Sequence, residues 1–333
     1  MSSSDLDAPL QRGQSGALMS VFSRAGVLLT ASVAVLSLFT TLARYFWLAD
    51  LFVHFLVQYA VIAFVGFVLL AWTRRPVWAA IAFFTAALNM VVAAPASGFA
   101  TAHALPLQTS GHQSARIASI NVLYRNQDHQ RVIDFVRREK PDAVVFVEVT
   151  ESWRKALTIL QKEYPHHFIS DGGGRNGAGV LLMSRWPMRN VQPILLYTSA
   201  EPAVSATLDI GERQLQVLAV HTSWPLGAAS TNLRNRQFGL LATQAQARKA
   251  PLIMLGDFNV SPLSPWFRAL LHESGLRSAS QTFGWLPTWP TFLPPAGIQI
   301  DHALISPDVA VREFRRGPYV GSDHLPIVVD LVL

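Results

Sequence analysis

Three uncharged, apolar stretches follow one another near the start of this chain, at residues 25–43, 51–72 and 77–96. Each is close to the roughly 20 residues that an α-helix needs to cross a bilayer. One such run near an N-terminus reads as a cleaved signal peptide, whereas three in series predict three transmembrane helices. Arg44 and Asp50 separate the first two runs, and Arg74, Arg75 and Pro76 separate the second from the third. Trp47, Trp72 and Trp78 fall near the ends, where interfacial aromatics are enriched. His54, Gln58 and Asn89 are the notable polar groups inside the runs, and helix packing is their expected role.

The arginines set an expected orientation. Arg12 and Arg24 precede the first run, and Arg74 with Arg75 lies between the second and third. Positive-inside bias places residues 1–24, as a tail, and the Arg74–Arg75 loop in the cytoplasm. Three crossings then deliver everything after Ala96 to the far side. The expectation is a multi-pass protein of a bacterial-type cell membrane with its second domain in the periplasm or outside the cell. Residues 97–115 are rich in small and polar types and read as a linker, and residues 116–333 as the second domain.

Composition narrows what that domain does. The chain has 333 residues, enough for one sizeable domain beside the apolar region. It has no cysteine, which excludes disulfides, thiol nucleophiles and cysteine-ligated metals. From Ala104 onward 22 Lys and Arg face 18 Asp and Glu, a net charge of +4. That suits an anionic substrate or surface and lacks the dense basic stripe of a dedicated DNA-binding protein.

From residue 116 strands alternate with helices. Apolar or alternating runs predict strands over 117–123, 143–149, 252–255, 299–305, 309–314 and 327–332, with shorter ones near 167–170, 179–184 and 192–197. Residues 204–210 and 214–221 read as a hairpin turned at Gly211-Glu212. Helices are expected over 127–140, 153–163, 231–249 and 265–273. The strand–helix–strand units imply parallel pairing and the hairpins antiparallel pairing, so the expected fold is an α/β two-sheet sandwich with outer helices. Gly172-Gly173-Gly174 lacks the following Lys-Ser/Thr or helix start of a phosphate-binding loop.

Polar residues gather at the ends of these strands, where α/β proteins place their chemistry. Gly321-Ser322-Asp323-His324 joins an acid to a histidine just ahead of an apolar run, and such a pair is costly to bury without partners. The chain offers partners in Asn121, Glu148, His221, Asp257 with Asn259, and Asp301 with His302. Glu148 closes the run Val-Val-Phe-Val-Glu-Val, where a lone acid needs a cation or a donor. Asp257 and Asn259 project to one side if strand geometry continues through them; an Asx turn is the plainer reading. A carboxylate of one Asp-His pair can orient the imidazole of the other.

The ordered set Asn, Glu, His, Asp-x-Asn, Asp-His, Ser-Asp-His resembles the endonuclease/exonuclease/phosphatase superfamily of DNase I-like nucleases, inositol polyphosphate phosphatases and neutral sphingomyelinases. The resemblance spans residues 116–333. It implies a four-layer α/β/β/α sandwich and Mg²⁺-dependent cleavage of phosphate esters, with Mn²⁺ as an alternative ion. It implies that Glu148 is the main metal ligand, with Asn121 beside it and Asp323 assisting. Asp257 is then the group that activates water or handles the leaving-group proton, and Asn259 orients it. His221 donates to a phosphoryl oxygen, and Asp301 partners His324. Ser322 positions the last loop, and His302 follows the pattern. Hard oxygen ligands suit such ions. The chain departs from DNA-repair members at Leu123, where those carry an acid.

Three N-terminal spans ahead of this domain resemble the teicoplanin-resistance membrane proteins, which implies a lipid substrate such as undecaprenyl pyrophosphate. Phospholipid or lipid diphosphate and the membrane are the expected partners; nucleic acid is the alternative, and no obligate protein partner is inferred. A non-enzymatic membrane sensor with the same fold is a third possibility. Residues 283–295 are aromatic and proline-rich, and Trp285 and Phe292 are expected either to pack or to enter the bilayer interface. Arg175 and Asn176 follow the glycines, and they are expected either to reach a phosphate or to be plain exposed loop residues.

Overall fold

The computed structural model describes residues 4–96, 113–172 and 178–333. They fall into two compact units, Met1–Pro95 and Ala96–Leu333. Arg175 and Asn176 lie outside the described residues.

The first unit is helical: α1 (Ser4–Thr40), α2 (Trp47–Val53), α3 (Leu56–Trp72) and α4 (Pro76–Ala93). Within α1 the apolar part runs over Leu18–Thr40, and it and α4 are each long and apolar enough to cross a membrane. Small residues let the helices approach closely. A Cβ on Gly66 of α3 would stand 2.7 Å from Thr30 Oγ1 of α1. Asn89 donates from Nδ2 to Ser37 Oγ at 2.8 Å, tying α4 to α1. The expected second span at 51–72 is not one helix. It breaks between α2 and α3 with a 66° bend, so the candidate spans among the described residues number two, or three if the bent pair counts as one. Phe55 leaves helical geometry at φ −108°, ψ 17°. An uncharged run fixes hydrophobicity and length but carries no signal for where the backbone stays straight.

The second unit is a sandwich. One sheet has the order β11 (Ala310–Arg316), β12 (Ile327–Val332), β1 (Ser114–Asn121), β2 (Ala143–Val149), β4 (Gly179–Ser184), β3 (His166–Ser170). The other has β5 (Met188–Leu196), β6 (Thr198–Ile210), β7 (Arg213–His221), β8 (Leu252–Asp257), β10 (Asp301–Ile305), β9 (Arg277–Ser278). β1 with β2 and β7 with β8 pair in parallel; the remaining pairs are antiparallel.

Period-two alternation sorts the strand residues into layers. Ile117, Val145, Val217, Leu255, Ala303 and Val329 meet between the sheets. Ile120, Val144 and Phe146 face the other way, onto α5 (His129–Glu139) and α6 (Glu151–Leu157) through Val132, Phe135 and Trp153. Val220, Met254 and Leu304 face α7 (Ala228–Gln246) and α8 (Pro265–Ser274) through Phe238, Leu241 and Phe267. Both faces of the central strands are covered, which is why β2 reads as one apolar run. The expected α/β/β/α layering is the observed one.

Candidate active site

The inward-facing columns of four strands end in polar side chains. On β1 the column is Ala115, Ile117, Ser119, then Asn121; on β7 it is Leu215, Val217, Ala219, then His221. β8 contributes Ile253, Leu255 and Asp257, and β10 opens with Asp301 ahead of Ala303 and Ile305. Register then aligns them: His221 pairs with Asp257 across the parallel β7–β8 ladder, and Asp257 with Asp301 across the antiparallel β8–β10 ladder.

Glu148 reaches the same place by a different device. Strict alternation would send it outward, because Val147 already faces the inter-sheet core. The β2–β4 register shifts between Val147 and Val149, and Glu148 takes φ +65°. This bulge turns Val149 into the outer layer and delivers Glu148 to the site. Gly256 is needed for a related reason. It has φ +145°, and a Cβ there would lie 1.9 Å from the Val220 carbonyl oxygen.

Asn121 bridges the sheets. Its Nδ2 donates to Glu148 Oε1 at 3.0 Å and to Asp257 Oδ2 at 3.1 Å, while its Oδ1 accepts from Leu123 N–H at 3.0 Å. Glu148 Oε2 accepts from Tyr124 N–H at 3.0 Å. His221 Nε2 lies 3.9 Å and His324 Nε2 3.7 Å from Asp257 Oδ2. His324 Nδ1 is 2.9 Å from Asp301 Oδ2, so that carboxylate orients the ring and leaves Nε2 facing Asp257.

Charge is concentrated here away from water. Asp257, Asp301 and His324 are all buried. Burial, joined by the negative charge of Asp301, pushes the Asp257 carboxyl well above the usual carboxylate range against the pull of His324 and His221. Burial alone would lower His324, but the charges of Asp301 and Asp257 and the hydrogen bond to Asp301 outweigh it and hold the ring as imidazolium. One base and one acid thus face each other across 3.7 Å.

The donor set fits a divalent ion. Ligand atoms of Glu148, His221 and Asp257 lie within 4.8 Å of one another; those of Asp257, Asp301 and His324 are as close, but the protonated His324 ring has no lone pair to offer and spends Nδ1 on Asp301. Two carboxylates beside one imidazole suit a cation with hard-ligand preference. Bound there, such an ion would neutralise phosphoryl charge and polarise water.

Several expected placements change in detail. As the amide is oriented, Asn121 presents its nitrogen to Glu148 and Asp257 and its oxygen to Leu123 N–H. Asp323 stands outside both groups of metal-capable residues. Its Oδ2 accepts from Trp289 Nε1 at 3.3 Å, and its Oδ1 is buried without a hydrogen-bond partner among the described residues. Asn259 does not continue the strand. It takes φ +51°, its N–H donates to Asp257 Oδ1 at 2.9 Å in an Asx turn, and its Nδ2 donates to the Thr222 carbonyl at 2.8 Å. It therefore sits beside Asp257 by turn geometry instead of alternation. His302 is a core residue. It faces the α7–α8 layer, donates to Val260 O at 2.8 Å and packs 4.4 Å from the Phe267 ring. Burial pulls its pKa down to about 4, so it is neutral.

Sequence reading missed the residues that hold the loops. Thr288 Oγ1 accepts from the N–H groups of Ile300 and Asp301, both at 3.2 Å, and its carbonyl accepts from Leu325 N–H at 2.8 Å. It therefore fixes Asp301 and the His324 loop together. Arg234, fully buried on α7, donates from Nη1 to Asn259 O at 3.0 Å. Ser322, which the sequence did single out for the last loop, accepts at Oγ from His324 N–H at 3.1 Å. A lone Thr or Arg carries no period or spacing that would mark it.

This architecture recurs among solved structures. Bacteroides vulgatus endonuclease/exonuclease/phosphatase superposes with TM-score 0.58 at 19% identity, covering 66% of this chain and 98% of that one. The human Nocturnin catalytic domain with bound sulfate anion gives 0.56 at 19% identity, covering 66% and 94%. D. rerio TDP2 complexed with a single-strand DNA product gives 0.55 at 15% identity, covering 66% and 98%. At such identities the likeness is one of fold. No curated protein matches the sequence at a significant level. The family model for Endonuclease/Exonuclease/phosphatase proteins matches residues 118–324, a stretch that starts in β1 and closes on His324 itself. The chain therefore belongs to the Endonuclease/Exonuclease/phosphatase family, hydrolases of phosphate esters.

Proposed function

We propose that this protein is a membrane-anchored phosphoesterase that uses Mg²⁺, with Mn²⁺ as a substitute, to hydrolyse a lipid phosphate or diphosphate such as undecaprenyl pyrophosphate. One observation carries the reading: the Asp301–His324 dyad faces Asp257 beside Glu148 in a chain that also holds two or three apolar helices of membrane-spanning length. Asp257 takes the proton of the attacking water, and Asn259 fixes the turn that presents it. The His324 imidazolium and His221 stabilise charge growing on the phosphoryl oxygens, and Asn121 adds an amide donor. Phosphoryl transfer depends on such positioning and charge neutralisation more than on a protein nucleophile. The arginine distribution supports a catalytic domain on the outer face of a cell membrane.

The test is purified full-length protein in detergent, given Mg²⁺, Mn²⁺ or chelator. Undecaprenyl pyrophosphate, a sphingomyelin-like lipid, inositol phosphates and single-stranded DNA are offered in parallel. Cation-dependent release of phosphate from a lipid, abolished by Glu148→Ala, is expected; cleavage that ignores chelation or Glu148 would refute the site. Orientation is checked separately with a reporter fused at Leu333, which works only outside the cytoplasm if the topology holds. The fold shared with D. rerio TDP2 bound to a DNA product supports a second reading as a nuclease. Preference for DNA with steep loss of binding in salt would select that reading.

A further inference from the structure

Among the described residues of the second unit, nine large apolar side chains are exposed. Strand directions place eight of them at the end of the sandwich that carries the site; Ile159 is the exception. Tyr124 follows β1, Trp224 and Leu226 follow β7, Phe292 and Leu293 precede β10, and Tyr319 lies between β11 and β12. The other two flank the β5–β6 turn. Phe292 is 74% exposed and Trp224 58%. Residues 222–230 and 282–298 hold no charged residue. Their inner members do pack: Phe283 and Leu286 join the inter-sheet core, and Trp285 is only partly exposed. The tips these two loops leave outside, Trp224, Leu226, Phe292 and Leu293, therefore lie at the site-bearing end.

Soluble proteins rarely gather exposed apolar side chains on one side without a partner for them. From this one-ended distribution we infer that the site-bearing face docks on a lipid bilayer, with Phe292, Leu293, Trp224 and Leu226 entering the interfacial layer. A bilayer is the occupant for three reasons. The chain carries its own candidate spans. The joining residues 97–112 extend at most about 55 Å, so a membrane holding the first unit stays within reach of the second. Arginines accompany the rim aromatics: Arg236 lies 4.2 Å over the Tyr197 ring and Arg131 5.7 Å over Tyr319. Aromatic rings with basic groups beside them match an apolar layer topped by anionic headgroups. A docked mouth receives a phosphate ester whose apolar part stays in the membrane, so the inference deepens the lipid-phosphoesterase reading and rests on it for that consequence.

Because the chain has no cysteine, single labels are unique. Full-length Phe292→Cys, Trp224→Cys and, as control, Ile159→Cys carry an environment-sensitive dye in vesicles of phosphatidylethanolamine and phosphatidylglycerol. A nitroxide on the acyl chains should quench positions 292 and 224 and spare 159. Equal quenching at all three positions, or shielding that depends on protein-to-lipid ratio and so marks a second copy, overturns docking. In parallel, Phe292→Ser with Leu293→Ser should lower turnover of vesicle-borne lipid diphosphate about tenfold relative to a soluble aryl phosphodiester. An unchanged ratio also counts against docking. If no phosphate ester is cleaved while the labels still enter lipid, docking stands and the phosphoesterase reading fails. If cleavage persists while 292 and 224 behave as 159, docking alone fails.

Discussion

Replacing His324 by alanine removes the one group that faces Asp257 with a positive charge set by Asp301. The expected loss is about 10²–10⁴-fold in kcat, with an unchanged circular dichroism spectrum. Asp301→Asn should keep the ring in place but weaken its imidazolium, so the alkaline limb of the pH–rate profile moves to lower pH; an unmoved limb would count against the dyad. Asp301 and His302 make the opposite case. The two Asp-His pairs look alike in sequence, yet adjacent strand residues face opposite sides, so Asp301 enters the site and His302 the helix layer. His302 stays neutral when folded, with a pKa near 4, and takes a proton readily when unfolded, near its usual 6.5. The unfolded state therefore binds more protons between those values, and stability falls as pH drops from about 6.5 to about 4, by at most about 3 kcal/mol. Urea midpoints across that range should show the slope, and His302→Gln should flatten it.

At the scale of elements, Gly256→Ala drives a Cβ into the Val220 carbonyl between the two parallel strands that carry His221 and Asp257. No folded protein is expected from it, since backbone cannot yield as a side chain can; a soluble, active Gly256→Ala would contradict the register. Thr288→Val leaves the Ile300 and Asp301 N–H groups without their acceptor. A cost of about 1–3 kcal/mol is expected, with reduced kcat that Thr288→Ser restores. Strand identity was legible because the central strands are buried on both faces and read as apolar or alternating runs. The column ends Asn121, His221, Asp257 and Asp301 were legible for the same reason. Glu148 was legible as an acid in an apolar run, but not the bulge that aims it, because one extra residue leaves no mark in composition. Asn259 sits beside Asp257 by the Asx turn that the sequence offered as the plainer of two readings, because residue type alone does not tell a left-handed turn from a continuing strand. The bend at His54–Phe55 was hidden likewise, because both halves of the run are equally apolar.

The whole molecule is two compact units, the first of which holds helices long and apolar enough to cross a membrane. In the first, Gly66→Leu would push a side chain into Thr30 and separate α1 from α3. Faster proteolysis of the N-terminal unit in detergent is expected, with the second unit's spectrum retained; equal resistance would mean the helices do not need that approach. In the second, Asn121 and Glu148 come from one sheet, and His221, Asp257 and Asp301 from the other. Asn121 touches both across the gap. Turnover is thus a vernier on the alignment of two independent hydrogen-bonded layers. A slip of a few tenths of an ångström between them misaligns the reacting groups while every strand keeps its ladder, so heating should extinguish turnover at a lower temperature than it erases the far-ultraviolet signal.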